Sequence, residues 1–144
     1  MNNKGLTLVE LLVVLLIIAM ISAIAIINII SAIQKGRQKA TMSDMRTISR
    51  ALETYNIDFG FYPADGLTMD QLRETLVPFS SSVLPMHDAW GHLYTYATDG
   101  RSNYTIESYG KDGIDNENIS YDTRFEYNRD IIIHNGFFTA RPVE

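Results

Sequence analysis

The chain has 144 residues, a formal net charge of −5 and no cysteine. No disulfide can therefore stabilise the fold, and an acidic balance without a long basic run argues against nucleic acid as a partner. About 110 residues follow the apolar amino-terminal run, which is the length of one small domain.

A long apolar segment dominates the amino-terminal quarter. From Leu11 to Ile33 there are 23 residues without an ionisable side chain. A helix of that length measures about 35 Å, enough to cross the core of a bilayer. Glu10 stands at the start of this segment, where a carboxylate costs a few kcal/mol unless it lies near the interface or is paired. The sequence thus predicts a membrane helix with one candidate functional acid.

The same helix is predicted to continue beyond the apolar segment. Residues 34–59 contain no proline, and apolar side chains recur there at spacings of 3, 4, 3 and 4, namely Met45, Ile48, Leu52, Tyr55 and Phe59. This pattern indicates an amphipathic helix whose apolar stripe packs on its own domain. Gly60 and Pro63 are the stop signals that end it.

The rest of the chain predicts a short helix followed by strands. We expect a helix over Thr68–Val77, because Thr68 and Gln71 have the spacing of a capping box. Strand-forming residues separated by turn residues predict strands over Leu93–Ala97 and Tyr104–Tyr109. Near the carboxyl end, Asn-Gly between two apolar runs predicts a hairpin over residues 131–139.

A short polar leader precedes the apolar segment and ends in Lys4-Gly5, and Glu10 is the fifth residue counted from Leu6. In these features the first ten residues resemble those of type IV prepilins and of the pseudopilins of type II secretion. The resemblance implies that a prepilin peptidase cleaves after Gly5 and methylates the new amine of Leu6. It also implies that Glu10 pairs with the amine of a neighbouring subunit during assembly.

Two later segments carry recognisable patterns: residues 88–96 match Asp-x-Trp-Gly-x-x-Tyr-x-Tyr, and residues 108–113 match Ser-x-Gly-x-Asp-Gly. Both patterns resemble those of the major pseudopilins of type II secretion. The implied fold is α+β and pilin-like, with a long amino-terminal helix packed on a small antiparallel sheet. The implied organisation is a leader at 1–5, a transmembrane and assembly helix at 6–34, and a periplasmic globular domain at 35–144.

In that family, the acidic loop after the second pattern binds calcium. The candidate ligands here are Asp112, Asp115, Asn116, Glu117 and Asp130. Calcium prefers six to eight oxygen ligands, which carboxylates and main-chain carbonyls of one loop can supply. This chain has a longer loop than the family pattern, so a solvated acidic loop without metal remains the alternative.

The sequence contains no recognisable catalytic constellation, so the expected role is structural and not enzymatic. The resemblance implies a homo-oligomeric helical filament that also contains other pseudopilins and is built at an inner-membrane assembly platform. Before assembly, each subunit would be held in the lipid of the bacterial inner membrane with its domain in the periplasm. The alternatives are a type IV pilin of an extracellular pilus and a single-pass membrane-anchored binding module.

The charges that flank the apolar segment favour the opposite orientation. Lys35, Arg37 and Lys39 follow the segment and only Lys4 precedes it, which by the positive-inside rule would place the domain in the cytoplasm. Long domains are translocated largely regardless of such charges. We therefore expect the periplasmic orientation that the resemblance implies.

Overall fold

A computed structural model of the chain describes residues 5–79, 83–115 and 127–140. Its helices are α1 (Leu8–Phe59) and α2 (Met69–Leu76), with a 3-10 turn at Val77–Phe79. Its strands are β1 (Thr95–Thr98), β2 (Tyr104–Ser108), β3 (Ile131–His134) and β4 (Phe137–Ala140). The chain divides into two compact units, residues 1–35 and 36–144, and α1 contributes to both. A long helix followed by a small antiparallel sheet confirms the predicted α+β, pilin-like fold.

In the first unit, α1 is apolar on all sides and exposed. Its large side chains from Leu8 to Ile33 are at least 49% exposed, so they do not form a core within the unit. The helix passes through Ile27 and Asn28 without interruption, as expected where no proline breaks it. Among the described residues, α1 is the one helix long and apolar enough to cross a membrane.

In the second unit, α1 buries the predicted apolar stripe. Met45, Ile48 and Leu52 are fully buried, and Tyr55 packs partly buried against the core. Phe59 lies outside the core because the helix ends there, and its ring centroid is 4.5 Å from that of Tyr55. Gly60 follows with a φ of 77°, the left-handed conformation that commonly terminates a helix.

Helix α2 begins where the capping box predicts. The main-chain N–H of Gln71 donates to the hydroxyl of Thr68, and the main-chain N–H of Thr68 donates to the Gln71 side chain. The α-helix ends at Leu76, one residue before the predicted end, and continues as the 3-10 turn that contains Pro78.

The four strands form one antiparallel sheet in the order β1-β2-β3-β4. The first strand starts two residues later than predicted, because Leu93 instead forms an isolated bridge with His87. The final hairpin turns at Asn135 and Gly136, with φ angles of 47° and 81°, as a two-residue turn of this sequence requires.

Side chains from one face of the sheet share a single hydrophobic core with side chains of α1 and α2. Side chains alternate along β2 so that Tyr104, Ile106 and Ser108 are buried, whereas Thr105 and Glu107 point to the other face. The buried hydrophobic residues form one cluster without a disulfide, comprising Met45, Ile48, Ala51, Leu52, Tyr62, Met69, Leu72, Leu76, Leu84, Tyr94, Tyr96, Tyr104, Ile106, Ile131 and Ile133.

Candidate functional site

At its amino end, α1 holds the carboxylate of Glu10 in a capping box with Thr7. The Thr7 main-chain N–H and hydroxyl donate to Oε2 of Glu10 at 2.9 and 2.8 Å. In return, the Glu10 main-chain N–H donates to the Thr7 hydroxyl at 3.3 Å. These contacts satisfy main-chain donors that a helix start leaves unpaired, and they place a negative charge at the positive end of the helix dipole.

The predicted cleavage position directly precedes this capping box. Leu6 is 81% exposed, and a side chain added at Gly5 would meet no atom within 4 Å. Thr7 and Glu10 both lie after the Gly5-Leu6 bond, so cleavage there would leave the capping box in the mature chain. Both hydrogen bonds from Thr7 go to Oε2, and Oε1 takes part in neither of them.

In the domain, the buried carboxylate of Asp88 organises the Asp-x-Trp-Gly segment. Its Oδ1 accepts hydrogen bonds from the main-chain N–H groups of Trp90 and His92, both at 2.9 Å. Its Oδ2 accepts the hydroxyl of Ser108 at 2.8 Å. The turn is also fixed to α1, because the Ala89 N–H donates to the Thr41 hydroxyl at 3.1 Å. Asp88 therefore connects the turn of the Asp-x-Trp-Gly segment, which is bonded to α1, to the end of β2.

The imidazole of His92 packs on the loop that follows β2. Its Nδ1 lies 2.9 Å from the carbonyl oxygen of Gly110, and it donates in this contact because a carbonyl can only accept. A Cβ at Gly113 would lie 2.8 Å from Nε2 of the same ring. His92 thus limits the path of residues 110–113.

The two ends of the acidic loop meet at its base. The Lys111 N–H donates to the carbonyl of Tyr127 at 2.8 Å. A Cβ at Gly110 would lie 2.5 Å from the carbonyl oxygen of Arg129, so only glycine fits this close approach. The base of the loop is therefore closed by main-chain contacts.

Beside this base, three carboxylates converge. Glu107 on β2, Asp115 after the glycine-rich turn and Asp130 before β3 can place one oxygen each so that all three lie within 4.8 Å of one another. Asp130 is 7% exposed. Burial, followed by the charges of Asp130 and Asp115, raises the pKa of Glu107 to about 7.

The cluster contains two of the predicted calcium ligands and one residue that sequence reasoning missed. Asp115 and Asp130 belong to it. Asp112 does not; it is exposed, and its Oδ1 accepts the Ile114 N–H at 3.2 Å. The other two predicted ligands, Asn116 and Glu117, lie outside the described residues.

The missed residue, Glu107, had a signal in the sequence. It alternates with the buried Ile106 and Ser108 along β2, so its side chain belongs to the outer face of the sheet. Its pairing with Ile132 places it close to the position where β3 begins. Three carboxylate oxygens at this separation suit a hard cation, because calcium binds oxygen at about 2.3–2.6 Å and its ligands lie up to about 5 Å apart.

Comparison with known protein families gives matches to the amino-terminal helix and to most of the domain. Residues 1–32 match the model of the prokaryotic N-terminal methylation motif, which covers Lys4-Gly5, the Thr7–Glu10 capping box and the start of α1. Residues 28–122 match the model of type II secretion system (T2SS), protein G. The chain belongs to this family, the one that its sequence patterns resemble.

A curated relative extends the match along most of the chain. The type II secretion system core protein G of Escherichia coli (strain K12) is 29% identical over 121 residues, which cover 76% of this chain and 83% of the relative. No solved structure matches the chain.

Proposed function

We propose that this protein is a structural subunit of the pseudopilus filament of a type II secretion system. The observation that carries the proposal is the first unit of α1, which is apolar on all sides, exposed, and begins with the Thr7–Glu10 capping box. Such a surface requires lipid or other helices to cover it. Membership of the protein G family supports the filament as its final environment.

Processing is the first step of this proposal. A prepilin peptidase cleaves after Gly5 and methylates the amine of Leu6. The new amine then lies within one helical turn of Glu10, so each subunit carries one cation and one anion at the end of an apolar helix. The apolar helix remains in the mature protein because the leader precedes it.

Assembly is the second step. The carboxylate of Glu10 in one subunit forms an ion pair with the amino-terminal amine of a neighbour. Any other axial offset between the two helices leaves a buried charge unpaired, which destabilises that arrangement. In the single subunit, the Glu10 carboxylate is held by Thr7. The charge pair therefore selects the register, while apolar contact supplies most of the adhesion.

The proposed location follows from the same helix. The subunit is anchored in the inner membrane with residues 35–144 in the periplasm, and it is extracted from the lipid at an assembly platform together with other pseudopilins.

Mass spectrometry and a matched pair of variants test this proposal. Cells that contain the peptidase should yield a chain beginning at methylated Leu6. Glu10→Ala should remain in the membrane but leave few filaments, whereas Glu10→Asp should keep part of the assembly because it retains the charge. A mature chain that retains Met1, or normal filaments from Glu10→Ala, would refute the proposal.

We also propose that Glu107, Asp115 and Asp130 bind calcium. The resemblance implies the metal, and the separation of their oxygens supports it. A bound divalent cation would offset the repulsion among three carboxylates and join the loop base to the sheet.

Calorimetric titration of the full chain in detergent tests the calcium proposal. We expect calcium to release heat and to raise the melting temperature, and a chelator to reverse the rise. Asp130→Asn should lose both responses. Asp112→Asn is the matched control that should keep them, since Asp112 lies outside the cluster. Equal responses from these two variants would contradict this ligand set.

A further inference from the structure

Three cations form a line on α1 within the second unit. Lys39, Arg46 and Arg50 follow one another at intervals of 7 and 4 residues, which places them within about 40° around the helix and along about 16 Å of its length. All three side chains are exposed. Met45 and Ile48 are buried against the core. We call Lys39, Arg46 and Arg50 the basic stripe.

The arginines of the basic stripe are available for an external partner. The Arg46 guanidinium carbon lies 5.3 Å from the ring centroid of Phe138 on β4, which holds the cation in place. Neither Arg46 nor Arg50 forms an ion pair with any residue in the described part of the chain. A preorganised, unneutralised guanidinium favours binding to a carboxylate.

The charge of the chain is unevenly distributed. After residue 50 there are 15 of the 17 acidic residues but only six of the 12 basic ones. Several of these acids are exposed on the second unit, among them Asp65, Asp70, Glu74 and Asp99. The basic stripe of one copy is therefore complementary in charge to the surface of another copy.

We propose that the basic stripe binds acidic side chains on the domain of a second copy of this chain, the adjacent subunit of the filament. This inference rests on the proposed function. Binding of the basic stripe to anionic lipid is the alternative that the test below distinguishes.

Charge reversal in the full-length, processed protein tests the proposal. Lys39→Glu with Arg50→Glu leaves Arg46 on Phe138 and should lower the filament yield by about tenfold or more, because like charges across an interface are strongly repulsive. Arg73→Glu with Arg101→Glu changes the net charge equally away from the basic stripe and should assemble as the wild type does. Should the first pair lower the melting temperature in detergent, Lys39→Gln with Arg50→Gln replaces it, with a loss of about threefold expected.

Crosslinking identifies the partner directly. Arg50→Lys keeps the charge and allows zero-length carbodiimide coupling to a contacting carboxylate. Filaments mixed from isotopically light and heavy subunits should contain light-heavy linkages between position 50 and an acidic residue. Linkages within one copy only, or normal filaments from both reversal pairs, would overturn the proposal.

Two further outcomes separate this inference from the function on which it rests. Loss of binding to vesicles containing anionic lipid, with filaments unchanged, would assign the basic stripe to the membrane surface and overturn the proposal. If the wild type itself forms no filaments with the peptidase present, the proposed function fails, and the inference fails with it. Normal wild-type filaments together with normal reversal variants refute the inference alone.

Discussion

The buried carboxylate of Asp88 accepts a hydrogen bond of 2.8 Å from the hydroxyl of Ser108, twenty residues further along the chain. Each residue belongs to a different sequence pattern of the family, and this bond connects the two patterns. Asp88 is 5% exposed and Ser108 is fully buried. The main-chain groups of Trp90 and His92 complete the coordination of Asp88, so this carboxylate has a donor for each oxygen.

Removing Asp88 should destabilise the domain more than removing Ser108. Ser108→Ala should cost about 1 kcal/mol, whereas Asp88→Ala should cost about 2–4 kcal/mol because three donors lose a charged acceptor. Chemical denaturation of both variants and of the double variant measures the coupling, expected at about 0.5–3 kcal/mol. Asp112→Ala, an exposed acid nearby, should change stability by less than about 0.5 kcal/mol. Strict additivity of the two changes would contradict a direct bond.

The closed loop base predicts a difference between two glycines with similar φ angles. Gly110 and Gly100 have φ angles of 63° and 79°. A Cβ at Gly110 would lie 2.5 Å from a main-chain oxygen, whereas one at Gly100 meets nothing within 4 Å. Gly100→Ala should cost about 1 kcal/mol from conformation alone, and Gly110→Ala should cost more, because backbone must shift. Thermal melting of the pair checks the order, and equal losses would contradict the close approach.

The raised pKa of Glu107 predicts how stability depends on pH without metal. Its pKa in the folded chain is about 7, against 4.5 as the ordinary value. Between about pH 4.5 and 7, Glu107 has lost its proton in the unfolded chain but retains it in the folded chain. The free energy of unfolding therefore falls as pH rises from about 4.5 to 7, and then levels off. The fall should be about 1–3 kcal/mol, and Glu107→Gln should remove most of it. Denaturation in chelator at several pH values measures it, and identical profiles for variant and wild type would contradict the assignment.

The hydroxyl of Tyr104 predicts a polar contribution to the contact between α1 and the sheet. It lies 2.7 Å from the hydroxyl of Ser49 and donates to Glu53 at 3.0 Å. Tyr104→Phe should therefore cost about 1–2 kcal/mol, although the ring still fills its place in the core. Ser49→Ala in the Tyr104→Phe background should add little, because the bond is already absent. If Ser49→Ala destabilised the Tyr104→Phe variant as much as it destabilises the wild type, the two hydroxyls would contribute independently.

Local sequence signals were sufficient to predict the elements and several of their ends. Gly60 ends α1, Thr68 and Gln71 start α2, and Asn135-Gly136 sets the last turn. Each of these features depends on side chains within a few residues of one another, and their conformational preferences are nearly independent of the rest of the fold.

The composition of the acidic cluster was decided by the tertiary structure. The sequence pattern favoured Asp112, yet the glycine-rich turn directs this residue to solvent. Glu107 enters the cluster because the register of β2 and β3 aligns it with Ile132, close to Asp130.

By itself, the sequence determined an apolar helix with one acid at its start, an amphipathic continuation and a small sheet, because these follow from hydrophobic periodicity and local turn chemistry. Only the tertiary structure decided that Asp88 meets Ser108 and that Glu107, Asp115 and Asp130 converge. Contacts between residues so far apart in the chain depend on strand register and on the close approach of main chains, which no local preference specifies.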